Sequence, residues 1–288
     1  MRLTIHGYST ALFATWYFIE ELGLLLDAGD GLTSNLLGKT GKIKHVFISH
    51  ADRDHLGGLL QYNQLFSHRR PHIYYPKDAN SFRFLEDFTG RFDPHTSGTI
   101  WTPLEDEQMI DIKTNYRVQG FENKHIDVSG QLKSLSYKVI ETKNKLKPEF
   151  AKLSSHDIVA LKKEKGDGYI NEQLQKNVLI YSADTPVFDY SKFDNCDVLI
   201  HEATFLKKDE LEKGNDRNKH SSLEDVMEMV ANISVGQLIL GHFSSRYDSS
   251  EIDKSIKKLI AHYNIKIPVF RIPIGEVSRD ILNGNPLN

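Results

Sequence analysis

The sequence predicts a layered α/β fold, because short β-branched or aliphatic runs alternate with segments of helical character, and several of those runs end in histidine or a carboxylate. Strands are expected at Arg2–His6, Leu24–Asp27, His45–His50, His72–Tyr75, Lys176–Tyr181, Asp197–His201 and Gly236–His242. Helices are expected at Asp54–Phe66, Ser222–Ala231 and Glu251–Tyr263. In the second of these, Ser222 suits the N-cap, with Glu224 and Asp225 in the first turn beside the positive end of the helix dipole. At 288 residues and 39% hydrophobic content the chain can bury a full core. No linker, repeat or low-complexity tract divides it, so a single domain over 1–288 is expected.

Composition excludes several classes of protein. One cysteine, Cys196, rules out a disulfide framework and a thiolate cluster, so any metal site must be built from imidazole and carboxylate. No signal-peptide core and no apolar run of membrane-spanning length occurs, and the expectation is a soluble cytoplasmic protein with no membrane partner. A net charge of −3 argues against indiscriminate coating of nucleic acid, which depends on neutralising phosphates.

The chemistry sits where the apolar runs end. Val46-Phe47-Ile48-Ser49 leads into His50-Ala51-Asp52-Arg53-Asp54-His55, Val178-Leu179-Ile180-Tyr181 into Ser182-Ala183-Asp184, Val198-Leu199-Ile200 into His201-Glu202, and Leu238-Ile239-Leu240 into Gly241-His242. Sites in open α/β sheets gather outside the carboxyl ends of strands. Two imidazoles and two carboxylates within six residues, followed by Gly57-Gly58, are hard to explain as packing. Metal coordination is one of the few ways to compensate so many buried polar groups at once.

This block resembles the His-x-His-x-Asp-His signature of the metallo-β-lactamase superfamily, with His50, Asp54 and His55 on three of its four metal-binding positions and Asp52 in place of the usual histidine. His201-Glu202-Ala203-Thr204, Lys219-His220-Ser221-Ser222 and Gly241-His242-Phe243-Ser244-Ser245-Arg246-Tyr247 are similar to motifs of the ribonuclease Z family within it. The resemblance implies a metallo-β-lactamase αββα sandwich and an endoribonuclease that processes the 3′ end of precursor transfer RNA, working as a homodimer. It implies two divalent metal ions, held by His50, Asp52, Asp54, His55, His125 and His242, with Asp184 as the bridging carboxylate. Zinc is the family's metal. The added charge and hard oxygen of Asp52 shift the preference towards manganese or iron.

Roles follow from the same resemblance. Asp54 orients or deprotonates the attacking water, and His220, with Glu202 beside it, protonates the leaving oxygen. Glu202 read alone would equally suit an ion pair with a lysine such as Lys207. Arg246, Ser244 and His201 are expected to contact substrate, and Asp27 to hold the metal loops without ligating. The lysine-rich segment at about 141–176 reads, from charge alone, as a solvated helical excursion; the resemblance reads it as an arm that grips transfer RNA. Two other functions are compatible with the sequence: a hydrolase of a small phosphodiester, for which the arm is unnecessary, and a metal-depleted, non-catalytic RNA-binding protein.

Overall fold

The computed structural model describes residues 2–92, 97–212 and 219–288. Its first sheet runs in sequence order: β1 (Ile5–Thr10), β2 (Ala14–Ile19), β3 (Leu24–Leu26), β4 (His45–Phe47), β5 (His72–Pro76) and β6 (Ile100–Leu104). The second contains β7 (Met109–Lys113), β8 (Tyr116–Glu122), β11 (Leu135–Leu146), β12 (Asn171–Tyr181), β13 (Cys196–Glu202), β14 (Val235–Gly241) and β15 (Val269–Arg271), in the order β15-β14-β13-β12-β11-β8-β7. A small hairpin of β9 (Asp127–Val128) and β10 (Gln131–Leu132) lies outside both.

The sheets pack face to face over an apolar layer drawn from both, including Ile5, Tyr17, Leu26 and Phe47 from the first and Val118, Tyr137, Leu179 and Ile200 from the second. On the outer side of the first sheet, Trp16, Phe18, Val46 and Ile73 pack with Leu59, Tyr62 and Phe82 of helices Leu59–Phe66 and Ser81–Phe92. Beyond the second, Leu199, Leu238 and Leu240 pack with Val226, Met227, Ile252 and Ile256 of helices Leu223–Asn232 and Ser249–Tyr263. The result is a helix-sheet-sheet-helix sandwich, as the sequence led one to expect. Among the described residues no helix is long and apolar enough to cross a membrane.

Three expectations are corrected. The first strand begins at Ile5 rather than Arg2 and runs on to Thr10, pairing antiparallel with β2. The helix expected over Asp54–Phe66 is two helices, Arg53–Leu56 and Leu59–Phe66, interrupted at Gly57-Gly58. There the Gly58 N–H donates to Ala28 O at 2.8 Å, and a Cβ on Gly58 would lie 2.3 Å from Gly29 O, so the backbone leaves the helix to close on the loop after β3. Thirdly, the lysine-rich segment is not helical throughout, because it leaves and rejoins the sheet as a β-ribbon. Beyond Glu141 strand β11 no longer pairs with β8, while Thr142 to Leu146 pair with Gln175 to Asn171, leaving two strands alone beyond the sheet. Helix Ser155–Lys165, N-capped by Ser154, lies at its far end and buries none of its residues.

Helix Leu223–Asn232 agrees with expectation, and Ser222 Oγ accepts from Asp225 N as its cap at 3.0 Å. Since the Gly58 contact is backbone on backbone, Gly58→Ala is expected to lower stability by about 1–3 kcal/mol, as overpacking does. Denaturant unfolding measures this, and an unchanged midpoint would show that the loop can move aside.

Candidate metal centre and active site

Each candidate ligand lies just beyond a strand. His50, Asp52, Asp54 and His55 follow β4, Asp184 follows β12, His242 follows β14, and His125 follows β8. Within this cleft Asp184 Oδ2 stands 3.2 Å from the Nε2 atoms of both His55 and His242 and 3.9 Å from that of His50. Asp54 Oδ2 is 3.6 Å from His55 Nε2 and 3.4 Å from His242 Nε2. Asp52 Oδ2 is 3.6 Å from the Nε2 of both His50 and His125. The expected ligands therefore fall into adjoining groups, His50–Asp52–His125 and Asp54–His55–His242, with Asp184 between them.

Hydrogen-bond accounting decides which ring nitrogens face inward. Ser49 has one hydroxyl proton, given to Asp27 Oδ2 at 2.9 Å, so Ser49 Oγ accepts from His50 Nδ1 at 2.9 Å. His55 Nδ1 donates to Asp27 Oδ2 at 2.8 Å, and His125 Nδ1 to Lys219 O at 3.0 Å. Thr204 Oγ1 donates to Glu202 Oε2 at 2.6 Å and accepts from His242 Nδ1 at 2.9 Å. In the neutral imidazoles all four protons therefore sit on Nδ1, and every Nε2 turns a lone pair towards the carboxylates. The buried Nε2 atoms of His50 and His55 have no hydrogen-bond partner. Lone pairs converging on carboxylate oxygens suit divalent cations, and the donor set fits them.

Asp27 ties the first group together. Its fully buried carboxylate accepts from Ser49 N, Ser49 Oγ, His55 Nδ1 and Tyr181 OH, the last at 2.5 Å. Both of its oxygens are thus spent on holding the loops that carry His50 and His55. Asp52 is held well below the usual carboxylate range by His125 and His50, against the opposing effect of burial. For Asp54, burial raises the carboxyl, but His242 and His55 outweigh it and bring the group to about 2.

Beside this cluster lies a second pair. Glu202 Oε1 accepts from His220 Nδ1 at 3.1 Å and from Thr185 N at 2.9 Å, and Oε2 from Thr204 N at 3.1 Å. These contacts select the pairing with His220 over a lysine for Glu202. Burial lowers the His220 imidazole, yet Glu202 and Asp184 carry it up to about 9. Thr204, within a motif singled out in the sequence but given no role of its own, thus joins the His220–Glu202 pair to His242.

Of the residues expected to meet substrate, His201 does not face the cleft. It has no exposed surface, donates from Nδ1 to Glu202 O at 2.7 Å, and packs edge-on against Phe193. Strand alternation explains this, because neighbours in β13 face opposite sides and Glu202 takes the side of the site. Ser244 is half-buried beside Thr204, its N–H donating to Thr204 O at 3.1 Å. Arg246 is half-exposed, donates to Glu210 and Tyr247, and lies over the Phe205 ring.

No family model matches the sequence. A chloroplastic tRNase Z of Arabidopsis thaliana is 26% identical over 286 residues, spanning 94% of this chain and 75% of its own length. A ribonuclease Z of Methanocaldococcus jannaschii is 28% identical over 285 residues, spanning 88% and 85%. Among solved structures, the metallo-β-lactamase fold protein YhfI from Bacillus subtilis superposes with a TM-score of 0.65 at 17% identity, over 96% of this chain and all of that one. The short form of human tRNase Z gives 0.61 at 17% identity, over 96% and 98%.

Asp27→Asn should weaken divalent-metal binding by about 10–100-fold although Asp27 is not a candidate ligand, because the amide NH2 would face either the Ser49 N–H or the donors Ser49 Oγ, His55 Nδ1 and Tyr181 OH. Competition against a fluorescent chelator measures this, with circular dichroism confirming the fold. Wild-type affinity would show that the imidazoles are oriented without it.

Proposed function

We propose that this chain, which has the metallo-β-lactamase fold and is homologous over most of its length to proteins named ribonuclease Z, is a metal-dependent endoribonuclease that removes the 3′ extension of precursor transfer RNA. The observation that carries this reading is the cation-seeking centre around Asp184 set directly beside the His220–Glu202 pair, with His220 Nδ1 3.9 Å from Asp184 Oδ2. Hydrolysis of a phosphodiester needs those two functions side by side: a place for the phosphate and water, and a proton for the leaving oxygen.

His50, Asp52 and His125 would hold one divalent ion, Asp54, His55 and His242 a second, and Asp184 both. When bound, such ions neutralise the phosphoryl oxygens and make water more acidic. With zinc as the family's metal, Asp52 inclines the first position towards manganese or iron. The protein's own groups supply the rest. Asp54 orients the water and accepts its proton as oxygen attacks phosphorus. The bond from phosphorus to the ribose 3′-oxygen breaks, and that oxygen takes a proton from Nε2 of His220, whose Nδ1 is fixed by Glu202. Arg246 and Ser244, on the loop after β14, would engage flanking phosphates, Arg246 by exchanging Glu210 for the RNA.

The ribbon beyond Glu141 is the part suited to the body of the RNA. Lys143, Lys145, Lys147, Lys152, Lys163 and Lys165 lie along a projection that contributes little to the core, as a contact surface for a large polyanion would. The reading includes a cytoplasmic homodimer, for which exposed Leu60, Leu65 and Phe84 on the helices outside the first sheet supply apolar surface.

Thr142 faces Gln175 across the ribbon, so the segment between them can be replaced by a short linker at a paired rung. That deletion is expected to weaken cleavage of 3′-extended transfer RNA at least tenfold and to leave hydrolysis of a small chromogenic phosphodiester unchanged, because remote contacts help only substrates that reach them. His220→Ala should depress RNA cleavage far more than hydrolysis of a diester with a good leaving group. Activity on the small ester alone, in wild type, would replace this reading with a small-molecule phosphodiesterase.

A further inference from the structure

The turn joining β1 to β2 overhangs the metal centre and carries two large apolar side chains in the open: Leu12 is 89% exposed and Phe13 60%. Its position is fixed by the site itself, since Leu12 N–H donates to Asp54 Oδ2 at 3.0 Å. The turn is braced elsewhere as well. Phe13 N donates to Thr10 O at 3.1 Å, Ala11 N to Phe243 O at 3.2 Å beside His242, and Gly275 N to Thr10 Oγ1 at 3.0 Å. Leu12 itself adopts the left-handed region, φ 69°, which a branched side chain takes up only when its surroundings impose it.

A rigid, uncharged tip of Thr10-Ala11-Leu12-Phe13-Ala14, one hydrogen bond away from Asp54, has nothing with which to bind phosphate. What it presents is an aromatic face and an aliphatic one. Single-stranded RNA offers unpaired bases whose flat faces stack on such side chains, and the contact tolerates any base. We infer that Phe13, backed by Leu12, is a stacking platform for the nucleobase next to the scissile phosphate. The inference rests on the nuclease reading and deepens it: the ribbon grips the folded RNA, while the tip holds the strand end in register over Asp54. Phe13 is a positioning residue, acting on the base rather than on the reacting atoms.

The test uses 3′-extended transfer RNA carrying the normal nucleotide, or an abasic residue, in turn on each side of the cleavage point. Wild-type protein should bind the intact RNA about 5- to 100-fold more tightly than the abasic RNA at one of those positions. Phe13→Ala should abolish that preference, raising KM for intact RNA without altering KM for abasic RNA or turnover of a small diester, and Phe13→Trp should restore it. Binding measured in chelator, where nothing is cut, separates this inference from the nuclease reading. A base preference that depends on Phe13, in a protein that never cuts RNA, would sink the nuclease reading and keep the platform. Equal loss on intact and abasic RNA in Phe13→Ala would overturn the platform. So would a Phe13→Ala protein that keeps the base preference and changes only its oligomeric state, since that would make the tip a contact between copies of the chain.

Discussion

Lone pairs aimed at one another are the constraint on which this molecule is built. The buried Nε2 atoms of His50, His55 and His242 are directed at the buried Asp184 carboxylate, and Asp54 and the more exposed Asp52 add further oxygens. Acceptors facing acceptors are unfavourable unless protons or cations stand between them, and buried unpaired charge is among the more destabilising features a fold can carry. The protein commits to this arrangement from behind. Each imidazole gives its Nδ1 proton to a group that has no other choice: Asp27, a serine whose own proton is spoken for, a backbone carbonyl, or Thr204.

Some of the chain's left-handed backbone lies in the same place. Asp27, Ala183 and His242 all occupy the left-handed region, at φ 56°, 54° and 59°, and Leu12 joins them at the rim. Such conformations cost about 1–3 kcal/mol each in non-glycine residues and persist where surrounding structure over-determines them. Here the strand pairings do so. Asp27 N is held by Phe47 O and His242 N by Ser9 Oγ, while Gly241 leaves room for the Tyr17 hydroxyl, which would stand 2.1 Å from a Cβ. Both sheets thus end in sharp turns that swing ligands into one cleft. Stability resides in the apolar layers, and the left-handed turns at Asp27, Ala183 and His242 set the directions of the ligands.

How much of this can be read in the sequence follows from the same physics. Strands that end at the cleft were legible because an apolar run is followed at once by a ligand, as at Ile48-Ser49-His50 and Leu240-Gly241-His242. The outer half of β11 was not, since Thr142-Lys143-Asn144-Lys145 lies in a two-stranded ribbon whose faces both meet water, which erases the alternation that marks a half-buried strand. The break at Gly57-Gly58 was visible as glycines, but its cause, the approach of Gly29, belongs to tertiary structure. His201 was misplaced because its motif drew attention away from parity: next to Glu202 on a strand, it must face the other way. Thr204 could not have been found, because its role depends on a ring nitrogen of His242, 38 residues on. Leu12 and Phe13 acquire meaning only when the β1–β2 turn is seen beside Asp54.

The claim that the cleft exists to hold cations is tested most directly by elemental analysis of wild type and Asp184→Ala, both purified without added metal and both checked for native fold. If the proposed centre is right, wild type carries about two divalent ions per chain. Asp184→Ala would then carry well below one, because the carboxylate at the centre would serve both positions. A natively folded wild type that takes up no divalent metal, or an Asp184→Ala protein that keeps the wild-type stoichiometry, would contradict it.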